Sequence, residues 1–164
     1  MRKTPLLLLV AGMMSPLSCQ TPPSPTWEPI VDSTYPDKLV EIVISGPGLS
    51  WGAVAGLEMT VTNNSGDSIS ILWNRSSIDY NGASHAVLVK GTGFLHRGTD
   101  IPDMVIRDGA SLDVGVFPNE NYRPTRPVYK IWPIKAQQIT CRICVVVNGS
   151  ERFYTPGLNF DRTL

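Results

Sequence analysis

Beyond Lys38 the chain repeats one device: a short run with apolar residues at every second position, closed by residues that turn the backbone. Leu57, Met59 and Val61 alternate with Glu58, Thr60 and Thr62 before Asn63-Asn64-Ser65-Gly66-Asp67. Ile69, Ile71 and Trp73 repeat the period, and Leu112, Val114 and Val116 repeat it again up to Pro118. A period of two separates the side chains of a strand onto two faces, so each run reads as a half-buried strand. No window of about 11 residues carries a helical period.

Further strands are expected at Leu39 to Ser45, ending in a turn at Gly46-Pro47-Gly48, and at Ser76 to Tyr80, His85 to Lys90 and Val105-Ile106. Residues 128–134, Ile139 to Val147 and Arg152 to Thr155 complete the set. Asn81-Gly82 and Asn148-Gly149 tolerate positive φ at both positions of a two-residue hairpin turn. The first pairs Tyr80 with Ala83 and Ile78 with His85, and the second sets Cys144 opposite Phe153. Eight or nine short strands with regular turn signals predict an all-β fold, an antiparallel β-sandwich of immunoglobulin-like type, with a small β-barrel as the alternative. Trp73, at the end of an alternating run, is the expected aromatic anchor between the sheets.

The N-terminus has a different character. Arg2-Lys3 precede the apolar run Pro5 to Met14, and Pro16-Leu17-Ser18 leads to Cys19. A charged start, a short apolar middle and a small-residue exit are the features of a secretory signal. The run is shorter than the roughly 20 residues needed to span a bilayer. A cysteine just past the exit resembles the bacterial lipoprotein signal, in which the cysteine is lipidated and becomes the first mature residue. Those signals usually carry Leu three residues before the cysteine, where this chain has Pro16. Three parts follow: a signal over 1–18, lipidated Cys19 with a proline-rich tether over 19–36, and a β-domain over 37–164, with docking of Trp27 and Tyr35 on the domain as the alternative to a free spacer. By the same resemblance Gln20, which is not the aspartate of inner-membrane retention, implies the outer membrane facing the periplasm. A secreted or periplasmic protein with a free Cys19 is the alternative.

A second resemblance covers roughly residues 55–118. Ile69-x-Ile71-x-Trp73-x-x-Ser76, Asn81-Gly82-x-Ser84-His85-x-Val87 and Gly91 resemble a pattern of bacterial envelope lipoproteins of unknown function, as do Ile106-Arg-Asp-Gly109 and Val116-Phe-Pro118. It implies an envelope lipoprotein with a sandwich domain, and it implies no activity.

Charge and chemistry narrow the function. Past residue 18 the chain holds 12 basic and 14 acidic residues, a near balance that argues against nucleic acid as a partner. His85 falls on one face with Ile78, Tyr80, Val87 and Val89, the setting of a packed histidine with one nitrogen hydrogen-bonded. Ser84 falls on the other face, so the two form no nucleophile–base pair. His96, Asp100 and Asp103 make only a loose metal-type cluster. Cys141-Arg-Ile-Cys144 has redox or zinc spacing, yet in a strand residues three apart face opposite ways with Cα atoms ~10 Å apart, too far for a disulfide. The expectation is two separate buried thiols. Neither a catalytic set nor a cofactor or metal site is expected, so a non-catalytic binding or assembly module is favoured over an enzyme. A structural or stress-related surface protein is the further alternative.

Residues 121–135 contain four basic residues and no acidic one, interleaved with aromatics. Tyr122, Arg123, Arg126, Tyr129, Lys130 and Trp132 form the candidate contact surface, suited to an anionic headgroup, a glycan or a protein partner of the envelope. The competing reading is an edge strand blunted by proline and charge.

Overall fold

The computed structural model describes residues 26–161 apart from 33, 51–52, 91–100, 126–127 and 132, and for residues 50, 53, 121–125 and 128–131 it describes the backbone alone. Cys19 and the segment expected as a signal lie outside the described residues. Thirteen strands are present among the described residues: β1 (Trp27–Ile30), β2 (Val40–Ser50), β3 (Ala53–Asn63), β4 (Ile69–Ile71), β5 (Ser77–Tyr80), β6 (Ala83–Val89), β7 (Met104–Ile106), β8 (Ser111–Pro118), β9 (Tyr122–Thr125), β10 (Val128–Ile131), β11 (Gln138–Val147), β12 (Ser150–Tyr154) and β13 (Gly157–Phe160). Single 3-10 turns occupy Trp73–Arg75 and Asn119–Asn121. All pairings are antiparallel. The fold is all-β, as the alternating runs imply.

The main path runs β1-β13-β11-β5-β6-β8-β3-β2. Two long strands change partners along their length and so bend it. The first half of β11 pairs β5 and β13, while its second half pairs β4 and β12. Likewise β6 leaves β5 at Ala86 and meets β8 from Val87. A strand shared by two sheets turns a corner, and the path curls until its ends approach. A Cβ on Gly46 of β2 would stand 3.7 Å from the Trp27 ring of β1, ordinary van der Waals contact. The outcome is a nearly closed, barrel-like sheet, for which sandwich and small barrel are both fair descriptions.

The interior is the sum of the alternating runs. Leu57, Val61, Ile69, Ile71, Ile78, Val116, Ile139, Ile143, Val145 and Leu158 have no solvent exposure. Trp73 is 1% exposed and sits in this core, although strand geometry ends at Ile71 and Trp73 opens a 3-10 turn. Both Asn-Gly turns adopt positive φ, at Asn81 52° and Gly82 74°, and at Asn148 51° and Gly149 75°. The registers Tyr80 with Ala83, Ile78 with His85 and Cys144 with Phe153 are those the turns dictate.

Three expectations need correction. The turn at Gly46-Pro47-Gly48 is not a turn, because β2 continues through it to Ser50, with register shifts between Ile44 and Gly46 and between Gly48 and Leu49. Pro47 is tolerated because β2 is the last strand of the path. Gly48 serves close packing instead, since a Cβ there would stand 3.1 Å from the Gly56 backbone. A Cβ on Gly56, opposite Gly48, would sit 2.0 Å from the Val116 carbonyl oxygen. The strand expected over 128–134 stops at Ile131, and Ile134 enters the core through an N–H bond to the Val54 carbonyl at 2.8 Å.

The third correction moves the start of the domain. Trp27–Ile30, placed in the tether on the strength of its prolines, is a strand paired with β13 in the register Trp27 to Phe160. The rest of that segment clasps β12. Tyr35 packs on Tyr154 with ring centroids 4.8 Å apart, and its hydroxyl accepts the Phe153 N–H at 3.3 Å. Arg152 donates to Asp37 at 2.5 Å, and Asp32 accepts from the Thr155 N–H. Composition pointed to extended chain, which a strand is; only the partner was missing from view.

Candidate interface at one end of the barrel

Antiparallel registers define the two ends of the barrel. One end collects the finish of β5, the start of β6, the start of β11 and the finish of β13, since Tyr80 is paired with both Ala83 and Ile139, and Gln138 with Asn159. It also collects the start of β1, the finish of β8 and the start of β3, through Trp27 with Phe160, Val87 with Pro118 and Leu57 with Val116. Thr26, the first described residue, is fixed there: its hydroxyl donates to the Asp161 carboxylate, and its carbonyl accepts the Asp161 N–H at 3.3 Å.

The candidate contact segment leaves from this same end. After Pro118 the 3-10 turn Asn119–Asn121 leads into β9, which among the described residues pairs with β10 alone as a separate two-stranded ribbon. The chain rejoins the barrel at Ile134. The register sets Tyr122 against Ile131, Arg123 against Lys130, Pro124 against Tyr129 and Thr125 against Val128. Pleating places Arg123 and Lys130 on one face of the ribbon and Tyr122, Pro124, Tyr129 and Ile131 on the other. Of the expected contact residues, Tyr122, Arg123, Tyr129 and Lys130 are therefore brought together, while Arg126 and Trp132 lie outside the described residues. Val128–Ile131 pairs with β9 rather than with the barrel, and its other edge has no strand partner among the described residues, so the blunted-edge reading stands beside the contact surface.

A polar cluster ties the base of the ribbon down. His85 stacks on Tyr80 with ring centroids 4.3 Å apart. Its Nδ1 is 2.5 Å from the carboxylate of Glu120, in the turn that precedes β9, and the Tyr80 hydroxyl donates to the same oxygen at 3.2 Å. The expected packed histidine with one bonded nitrogen is thus present. Its Nε2 is buried with no partner among the described residues. Ser84 is exposed and pairs with Asp79 on the far face of the hairpin. The cluster joins the β5–β6 hairpin to the turn that precedes the ribbon.

Sequence reasoning missed one feature of this end. A shallow groove of about 470 Å³ runs beside the hairpin turn, lined by Asp79, Asn81, Gln137, Gln138 and Thr140 among others. Asn81 donates across it to the Lys135 carbonyl at 2.8 Å. The pairing of β5 with β11 brings these residues together, although Asn81 and Gln137 are 137 − 81 = 56 positions apart in sequence.

The remaining candidates sit elsewhere. Cys141 and Cys144 are free and buried, and they alternate across β11. Burial, aided by the Asp79 charge, pushes the Cys141 thiol far above its ordinary range, and burial with Glu151 raises Cys144. His96 and Asp100 lie outside the described residues, and Asp103 is exposed. Among the described residues no group of three His, Cys, Asp or Glu could hold a metal ion.

Together these features define an all-β protein with a curled antiparallel sheet and a ribbon standing off one end. No family model, curated protein or solved structure matches the chain.

Proposed function

We propose that this is a lipid-anchored protein of the bacterial cell envelope whose β-domain is a non-catalytic binding or assembly module. The lipid is carried by Cys19, and the domain faces the periplasm from the outer membrane. The observation that carries the reading is the spacing of Cys19 from Thr26. Seven residue steps separate the cysteine of the signal pattern from the point where the chain joins the barrel end. At no more than ~3.6 Å per residue, a lipid on Cys19 would hold that end within about 25 Å of the bilayer. The segment expected as a long tether is mostly part of the fold, which makes the anchor short. The resemblance of roughly residues 55–118 to envelope lipoproteins agrees with this placement. A histidine held by Glu120 and Tyr80 with its outer nitrogen buried supports a module over a hydrolase.

The experiment is fractionation of cells expressing wild type and Cys19→Ser, with intact mass of the extracted protein. Wild type is expected in the outer-membrane fraction with a mass increased by acyl chains and the leader removed before Cys19. Cys19→Ser is expected to leave that fraction or to stay unprocessed. A variant that fractionates and migrates as wild type would refute the anchor.

A further inference from the structure

We infer that the β9–β10 ribbon docks on the anionic phospholipid headgroups of the membrane beside the anchor, an inference that rests on the lipid-anchor reading above. Three observations converge on it. First, Arg123 and Lys130 occupy directly opposed positions of the ribbon. Like charges at opposed positions destabilise a strand pair, and a two-stranded ribbon standing off its sheet is marginal to begin with. An anionic surface across that face removes the repulsion and makes the pair favourable. No acidic residue between 121 and 135 supplies the countercharge from within.

Second, Tyr122, Pro124, Tyr129 and Ile131 take the opposite face, so the face offered to the headgroups is the basic one and its attraction is electrostatic. Third, the ribbon leaves the same barrel end that receives the chain from Cys19, at Thr26. The acidic groups of that end are Glu120, bonded to His85 and Tyr80, Asp161, bonded to Thr26, and Glu28 and Asp79, so the basic pair of the ribbon carries the attraction. The short link therefore presents a basic ribbon to the surface that the anchor selects.

Amide hydrogen exchange on the mature full chain, reconstituted into vesicles, tests this. One vesicle is phosphatidylcholine alone, and in the other a third of the lipid is phosphatidylglycerol. Exchange at 122–125 and 128–131 is expected to slow about five-fold or more on the anionic vesicle relative to the neutral one, as one basic residue near such a surface accounts for. The slowing is expected to vanish at about 1 M NaCl, where the Debye length is about 3 Å. It should also vanish in Arg123→Gln with Lys130→Gln, whose β3 and β11 amides should exchange as in wild type. If that variant does not fold, the salt comparison on wild type decides alone. Equal exchange on both vesicles overturns the proposal, as does slowing produced by inorganic phosphate without vesicles, which would mean a soluble-anion site. The anchor is read separately by flotation. Wild type that fails to float with the neutral vesicle refutes the lipid on Cys19, while the effect of phosphatidylglycerol still reports on the ribbon.

Discussion

The buried side-chain amide of Asn63 donates to the Ile106 carbonyl at 2.9 Å, joining two strands 43 residues apart. The same nitrogen donates to the Asp67 carbonyl at 2.7 Å, and Oδ1 accepts the Ser65 N–H at 3.0 Å and the Ser65 hydroxyl at 2.7 Å. Asn63 thus closes the Asn64–Asp67 turn and pins it to β7. Asn63→Leu keeps the branched shape, with a larger volume, and strips these groups of their partners, at about 1–3 kcal/mol for each one left buried and unpaired. We expect a loss of about 2–4 kcal/mol, read as a lower denaturant midpoint at unchanged slope. A loss below about 1 kcal/mol would mean that water takes the place of the amide.

Trp73 fills the core at the point where β4 gives way to a 3-10 turn. Trp73→Ala is expected to cost about 3–5 kcal/mol, the range for a buried large aromatic. The indole Nε1 has no hydrogen-bond partner among the described residues, so Trp73→Phe loses volume but also removes a buried donor. It should therefore cost clearly less than alanine. Thermal melts of both variants provide the comparison, and an unchanged midpoint for Trp73→Ala would contradict the core position.

Cys141 and Cys144 should stay two thiols in an oxidising compartment. Alkylation in denaturant without reductant should add two groups at these positions, whereas a mass two units low with neither modified would mean a bulge joins them. In the native protein the thiols should resist alkylation, since burial keeps them protonated. Because folding raises the Cys141 pKa above its ordinary 9.0, the associated stability is complete below pH 9 and is lost as pH rises beyond it. Stability measured between pH 8 and 10 should fall in wild type and fall less in Cys141→Ala.

The clasp between residues 32–37 and β12 should open in acid. Burial raises the Asp32 pKa, but hydrogen bonds from Thr34 and Thr155 outweigh it and leave it below its ordinary 3.8. The Arg152 hydrogen bond does the same for Asp37. A lowered carboxyl pKa contributes stability above the unfolded value, and that contribution is lost as pH falls through the folded one. Near-ultraviolet circular dichroism from the Tyr35–Tyr154 pair should change below about pH 4, earlier in Asp32→Asn than in wild type. A signal unchanged to pH 2 would show that the clasp does not depend on these carboxylates.

The sequence by itself determined the class of this protein and most of its local geometry. A period of two in the side chains and Asn-Gly pairs between runs are local signals, and they specify strand faces, turn conformation and hairpin register without reference to anything distant. Hence His85 falls opposite Ile78, and the two cysteines alternate across β11. Tertiary structure alone decided what local signals cannot encode: which strand each edge meets. Trp27–Ile30 reads as tether because its strand character comes from β13, 130 residues away in register. Gly46-Pro47-Gly48 reads as a turn because the reason for Gly48 is the backbone and ring packed against it. The ribbon's basic pair exists only in register, since Arg123 and Lys130 are seven positions apart until β9 folds on β10. Long-range pairing is specified by the burial of whole faces against one another, a property of the assembled sheet and of no single segment within it.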